Sequence, residues 1–424
     1  MLDINLIRKD PNFVSRALAK RGLTVELEEL LRLDEKKRKQ QTLVEEKKAE
    51  RNRVSSEVAA LKRSGADIES RIKAMQKLGE KIAKEDAKVM ELEAEIFGMI
   101  ANLPNLPLED VQPGGKTENK VIKSWGTKPT FDFKPKDHVE LCTAHNLIDY
   151  ERAAKISGSG TWIYTGDGAR IEWALLNYFV DFHTKNNYTF IMPPHILNYE
   201  SGFAAGQFPK FQDEVFVLST GKDKNDKSNK NFKFIIPTSE TAILNLHRGE
   251  TIPEDKLPIK YFGYSPCYRT EGGGYGSTER GMIRGHQFNK IEMFIFCAPQ
   301  DSKKYHEELT RNAELLVEGL GLHYQTVALA AGDVGAAMAK TMDVELYIPS
   351  MNGFKECSSV SNAWDYQARR ANIKMKTQAG SEYLHTLNAS GLATSRLLPA
   401  IVEQFQRADG TFELPEVLKK YMGK

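Results

Sequence analysis

The chain is 424 residues long, carries a net charge of +2, and is 41% hydrophobic and 27% charged. That apolar share is enough for a sizeable core and excludes an intrinsically disordered chain. Near-neutrality means that only the distribution of charge, and not its total, bears on partners; the length predicts two or three units of about 150 residues.

At the N-terminus, Asp3, Arg8, Lys9 and Asp10 interrupt the apolar run that a signal peptide needs. No segment reaches the roughly 18 apolar residues of a membrane span, so the expectation is a soluble, cytoplasmic protein with no membrane partner. Between Gly22 and Asn102 there is no proline or tryptophan, and the only aromatic residue is Phe97. Glu, Lys, Arg, Ala and Leu dominate, as in long helices. Ile68, Met75, Ile82, Val89 and Ile96 recur every seven residues, which marks a coiled-coil seam. Ile72 and Ile100 are read as its partner position, interrupted by Gly79, Asp86 and Glu93. A turn at Arg63–Asp67, with Asp67 as a helix cap, makes an antiparallel hairpin over about residues 27–100. Helices of about 35 residues give an arm of roughly 50 Å. Such an arm is expected to project into solvent.

Residues 104–129, with Pro104, Pro107, Pro113, Gly114 and Gly115, read as a linker between an N-terminal domain (1–103) and a second domain (130–424). Strands are predicted at Tyr188–Met192, Asn231–Pro237, Ile259–Tyr268, Gln287–Cys297, Tyr324–Leu329, Val344–Pro349 and Phe354–Val360. Helices are predicted at Ile171–Lys185, Asp301–Leu320 and Gly391–Gln406. Several strands follow one another without a helix, so the fold class is α+β with a mainly antiparallel sheet. The Lys/Asn-rich segment 220–232 reads as a hairpin tip or an insertion.

The four cysteines form no CxxC and no Cys/His cluster, which excludes a disulfide scaffold and a zinc ribbon. GxxxxGK[ST] is absent, and Gly272–Gly276 does not fit GxGxxG in a strand-to-helix setting. The chemistry instead points to Arg269-Thr270-Glu271, a glycine-rich loop, then Gly285-His286-Gln287-Phe288. Strand alternation puts Arg269 and Glu271 on one face. There they form either a surface ion pair or a reader in which Arg takes a phosphate and Glu an exocyclic amine.

Arg269–Phe288 resembles motif 2 of the class II aminoacyl-tRNA synthetases, and Asn388–Arg396 resembles motif 3. Tyr188–Leu197, with Pro193 and Pro194, resembles motif 1, the strand at a dimer interface. Together with the two-helix arm, the whole chain is similar to the bacterial type of the seryl-tRNA synthetase family. The resemblance implies that Arg269 holds the α-phosphate of ATP and the serine carboxylate, Arg396 the γ-phosphate, and Glu271 the adenine amine, with Thr270 and Arg284 also at the nucleotide. Glu356-Cys357-Ser358-Ser359 resembles the Glu-x-Ser-Ser segment at ATP, with Glu356 and Ser359 as magnesium ligands and Cys357 a small buried residue. Thr238-Ser239-Glu240, with Glu292 and Ser390, would surround serine. A site that reads a hydroxyl discriminates without an editing domain, and none is visible. In the motif 2 loop, Ser277 stands where many relatives have a basic residue, leaving Arg280 and Arg284 for the acceptor stem.

Residues 34–63 hold ten Lys/Arg and six Asp/Glu, including Lys36-Lys37-Arg38-Lys39. The run is either a solvated face or a track for an RNA backbone. The resemblance favours the second, since that family's arm grips the long variable arm of serine tRNA. It implies ATP-dependent attachment of serine to serine tRNA and to selenocysteine tRNA, by a homodimer with Mg²⁺. Two alternatives remain: a synthetase-like ligase that loads a carrier protein, which would lack the arm, and a non-catalytic coiled-coil paralogue, which would lack Arg269, Glu271, Glu356 or Arg396.

Overall fold

The computed structural model describes residues 1–63, 69–218, 232–271 and 281–423. The turn expected after Arg63, almost all of the Lys/Asn-rich segment, the glycine-rich run 272–276 and Arg280 lie outside the described residues. Chain packing divides the protein into two compact units.

The first unit comprises Leu2–Ala19 and Leu23–Leu103. Two short helices, α1 (Ile4–Lys9) and α2 (Pro11–Ala19), precede two long ones, α3 (Glu28–Arg63) and α4 (Glu69–Ala101). The long pair runs antiparallel. Lys37 meets Glu93, Lys48 meets Asp86, and Glu57 meets Arg71, so one helix counts up as the other counts down. On α4 the seven-residue seam is present, with Ile82 and Ile96 buried and Met75 and Val89 half-buried. The second stripe differs from the expectation. Ile100 is buried as expected, but Ile72 is 41% exposed, and Leu78, Leu92 and Met99, three residues after Met75, Val89 and Ile96, are buried or half-buried instead. Heptad spacing alternates three and four, so both flanks of the seam can be apolar; the four-residue partner is buried at Ile100 but not at Ile72.

The second unit comprises Met1, Lys20–Gly22 and Pro104–Lys424. Its main sheet has eight strands: β1 (Lys120–Trp125), β2 (Thr189–Ile191), β3 (Ile259–Tyr268), β4 (Gln287–Cys297), β5 (Tyr324–Ala328), β6 (Lys340–Ile348), β7 (Gly353–Trp364) and β8 (His385–Ala393). Their order is β1-β5-β6-β7-β8-β4-β3-β2, and every pairing is antiparallel except that of β2 with β3. The segment read as a linker therefore contains an edge strand. Prolines and glycines bracket Lys120–Trp125, but pairing with β5 decides its structure. β4 is buried continuously from Lys290 to Cys297; a strand between two others reads as an unbroken apolar run.

Helix α5 (Gly166–Lys185) buries Ile171, Ala174, Leu175, Tyr178 and Phe179 on one stripe, the spacing of an amphipathic helix. After it come α6 (Ser239–Leu244), α7 (Ser302–Gly319), α8 (Tyr366–Ala371) and α9 (Thr394–Gln404). α7 packs along β7 and β8, and α9 against β4, β6 and β7. α9 begins three residues later than expected, because Gly391–Ala393 finish β8. No helix among the described residues is long and apolar enough to cross a membrane, and all four cysteines are free and buried.

Candidate active site

Two bulges in the sheet bring the expected residues together. Lys290 and Glu292 of β4 pair with Ala393 and Ser390 of β8, so Ile291 alone faces both Gly391 and Leu392. On β6 and β7, Val344 pairs with Ser358 and Glu345 with Glu356, which leaves Cys357 as the extra residue. In a regular strand, residues three apart point to opposite faces. Each bulge cancels one step of that alternation. Ser390 thus shares a face with Glu292, and Glu356 shares one with Ser359 and its cross-strand partner Asp343. Leu392 accepts a φ of +82° to make the first bulge, a strained value for a bulky residue. Beside it, a Cβ on Gly391 would lie 2.6 Å from His183 Nε2. His183 is fully buried, and burial depresses its pKa to about 3.

Arg269 stands at the end of β3 on the wall of two cavities. One, of about 80 Å³, is lined by Glu271, Phe288, Lys290, Glu356, Ser390 and Arg396 among others. The other, of about 320 Å³, is lined by Thr238, Glu240, Glu214 and Pro237 among others. The Arg269 guanidinium lies 5.3 Å from the Phe288 ring centre, within cation–π range. Glu271 has φ +51° and accepts a 2.6 Å bond from Arg284 Nε. Arg396, in the first turn of α9, donates to the Glu356 carbonyl at 3.0 Å. Arg269, Glu271, Arg284, Glu356 and Arg396 therefore line one cavity.

Thr238 caps α6, its hydroxyl accepting from Glu240 N at 3.3 Å and donating to Glu292 Oε2 at 3.4 Å. Glu240 accepts a 2.6 Å bond from Gln367 Nε2. Burial, and then the Glu292 carboxylate, push the Glu240 pKa up to about 7, against the pull of Lys290 and Arg269. Glu292 is ion-paired with Lys290. Asp343 is raised by burial and by Glu356 beside it, while Ser359 donates to it.

Several expected residues commit their side chains to other partners. Ser239 is fully buried and donates to Ser265 Oγ at 2.7 Å, because consecutive residues in a helical turn point in different directions. Ser358 donates to the Ser390 carbonyl. The Cys357 thiol donates to the Val344 carbonyl at 3.3 Å, and burial raises its pKa; the thiol is held away from reaction. Thr270 bonds the Asp213 carbonyl at 2.9 Å. On the arm, Lys37 pairs with Glu93, Arg38 shares Asp34 with Arg8, and Lys39 pairs with Glu35. Lys36 is exposed.

The sequence reading missed Phe288 and Lys290, although both alternate with Glu292 on β4. It also missed Gln367, Asp343 and Glu172. Glu172, on α5, is buried and accepts from Asn289 Nδ2 at 2.7 Å and from Thr394 Oγ1. It thus ties α5 to the motif 2 strand and to the start of α9. Burial raises its pKa to about 7.

Residues 1–107 match the seryl-tRNA synthetase N-terminal domain, and residues 222–405 match the tRNA synthetase class II core domain (G, H, P, S and T). The chain is 52% identical to serine–tRNA ligase 2 of Clostridium acetobutylicum over 100% of its length and 99% of that protein. It is 43% identical to the serine–tRNA ligase of Thermodesulfovibrio yellowstonii, over 100% and 99%. Among solved structures, seryl-tRNA synthetase from Pyrococcus horikoshii complexed with ATP superposes with a TM-score of 0.89 at 31% identity, covering 100% of this chain and 98% of that one. With its N-terminal helices, its class II core and relatives matched end to end, the chain belongs to the seryl-tRNA synthetase family.

Proposed function

We propose that this protein is a serine–tRNA ligase that works in two steps. A serine carboxylate oxygen attacks the α-phosphorus of ATP and expels pyrophosphate, giving seryl-adenylate. The 3′-terminal ribose hydroxyl of the tRNA then attacks the seryl carbonyl, and AMP leaves. The observation that carries this reading is Arg269 on the wall of both cavities. From there one guanidinium reaches the serine carboxylate on one side and the α-phosphate on the other, aligning the reacting atoms and stabilising the charge that develops. Arg396 binds the γ-phosphate and Phe288 offers its ring to the adenine. Glu271 accepts from the adenine amine, sharing its carboxylate with Arg284. Thr238, Glu240, Glu292 and Ser390 take the serine amine and hydroxyl.

Magnesium fits the Glu356–Ser359 face. Strand register puts the oxygen donors of Glu356, Ser359 and Asp343 on one face, and Asp343 keeps one buried carboxylate oxygen without a hydrogen-bond partner. Glu356 and Ser359 would hold the ion that arrives with ATP, where it neutralises phosphate charge. The exposed apolar side chains Trp173, Phe190, Met192 and Ile196, on α5 and around β2, support a homodimer built on this edge of the sheet. The arm supports serine tRNA as the partner, and selenocysteine tRNA wherever it offers the same long variable arm. The division at residues 103 and 130, and the cytoplasm as location, belong to the same reading.

Amino-acid-dependent pyrophosphate exchange across the standard amino acids tests it. Serine should be the preferred substrate. Faster exchange with any other amino acid overturns the assignment of Thr238, Glu240 and Glu292.

A further inference from the structure

Lys290 has no role in the scheme above, yet it lines the nucleotide cavity and touches two of the residues assigned to serine, Thr238 and Glu292. Strand alternation puts Phe288, Lys290 and Glu292 on one face of β4, between the nucleotide cavity and the residues assigned to serine. Lys290 is 5% exposed. A lysine withdrawn from water this far needs a charge partner and further hydrogen bonds. It has both: its ammonium is ion-paired with the Glu292 carboxylate and donates to Thr238 Oγ1 at 2.8 Å. Thr238 Oγ1 also accepts from Glu240 N. With both acceptor positions used, the single Thr238 proton is left to point at Glu292 Oε2, 3.4 Å away. One ammonium therefore orients two of the side chains assigned to serine.

The charges around the pocket have the same logic. Glu240 and Glu292 face Lys290 and Arg269. Among these four groups, two carboxylates offset two cations when all are ionised, and an entering zwitterion leaves that balance unchanged. A cationic analogue that lacks the carboxylate adds one uncompensated positive charge.

We infer that Lys290 is a positioning and specificity residue. It is an internal counter-ion that holds Glu292 and Thr238 ready for the substrate ammonium and hydroxyl, and it makes the pocket select zwitterions over cations of the same shape. The inference rests on the reading of this pocket as the serine site.

The test uses the full-length enzyme, pyrophosphate exchange, and serinamide as a cationic competitor. Lys290→Met should raise the KM for serine by about tenfold or more while the KM for ATP moves by less than about threefold. The ratio of the serinamide inhibition constant to the serine KM should fall by about tenfold, because the variant pocket has one positive charge fewer. A purely structural role would raise both constants together and leave that ratio unchanged, which would overturn the inference. Lys290→Met leaves Glu292 as an unpaired buried charge, so E292Q is also compared with the K290M/E292Q double variant. Once Glu292 is neutral, removing Lys290 should cost about threefold or less in serine KM. A further loss of about tenfold would mean that Lys290 does not act through Glu292. Failure of the wild-type enzyme to exchange with serine would instead sink the reading of the site, an outcome distinct from either of these.

Discussion

The arm and the sheet hold their charges in opposite ways. On α3 and α4, Lys39–Glu35, Lys48–Asp86 and Arg71–Glu57 are ion pairs with both partners well exposed. Each contributes little, since water solvates the separate ions almost as well. In the sheet unit, Glu172, Lys290 and Glu292 are buried, where an ion is costly unless it is paired. Burial against that cost is retained where chemistry needs a charge at a fixed place. The difference separates two jobs: a long charged rod whose exposed pairs are individually dispensable, and a pocket where the Lys290–Glu292 pair must keep its place.

The widest break of this comparison is to remove the rod. Deleting Glu28–Ala101 and joining the flanks with a flexible linker should leave serine-dependent pyrophosphate exchange nearly unchanged. Every residue assigned to ATP and serine lies beyond position 237. Charging of serine tRNA should fall by roughly 10³, mainly through KM, because phosphate contacts supply much of the affinity for nucleic acid. Equal charging by the truncated and full chains would mean that the arm does not grip tRNA. Next in size is Arg269→Ala. Loss of one preorganised cation should cut exchange by about 10² to 10³, with an unchanged melting curve, since the side chain is exposed at the end of β3. Near wild-type exchange would remove Arg269 from the reaction.

These two regions were also unequally legible in the sequence. The arm announces itself through seven-residue periodicity, because a helix repeats its contacts locally. The error there was confined to one flank of the seam, where Ile100 is buried but Ile72 is exposed and Leu78 was overlooked. The residues of the site were legible mainly through resemblance to a family, and their geometry was not. Glu356 with Ser359, and Ser390 with Ala393, are three apart on strands, which alternation assigns to opposite faces. The bulges that reunite them depend on the register of neighbouring strands. Gln367 reaches Glu240 from a helix more than 100 residues away in sequence, and no local pattern marks it. β1 was hidden in the same way, since an edge strand amid prolines is set by its pairing partner.

Glu172 sharpens the comparison from the buried side. Its folded pKa, about 7, lies above the ordinary value of 4.5. Below both values it is protonated in either state and costs nothing. Between them the unfolded chain releases a proton that the fold retains, so stability falls as pH rises through this window; above about 7 the penalty is constant. Glu172→Gln should remove this slope. Relative to wild type, the variant should gain up to about 3 kcal/mol between pH 4.5 and 7, measured by denaturant titration. Glu240 titrates in the same window, and subtracting the two curves cancels it. A pH-independent difference would mean that Glu172 is not held protonated by burial.

The smallest effect is expected on the arm. Within the basic run, Lys37 is committed to Glu93 across the two helices, and Arg38 and Lys39 each meet a carboxylate on their own helix. Lys36 is exposed and has the most freedom to meet a phosphate. Lys36→Gln should leave the helical melting curve in place. If that lysine contacts tRNA, plotting the logarithm of affinity against that of salt concentration should give a slope shallower by about 0.7 to 0.9, the release of one counterion. Lys37→Gln should do the reverse, softening the melt of the hairpin while the salt slope stays close to wild type. If both substitutions leave the slope unchanged, the run is a solvated face, and the contact with RNA lies elsewhere on the arm. Should Lys37→Gln alone flatten it, the ion pair with Glu93 opens on binding, and the charges of the arm are less interchangeable than their exposure implies.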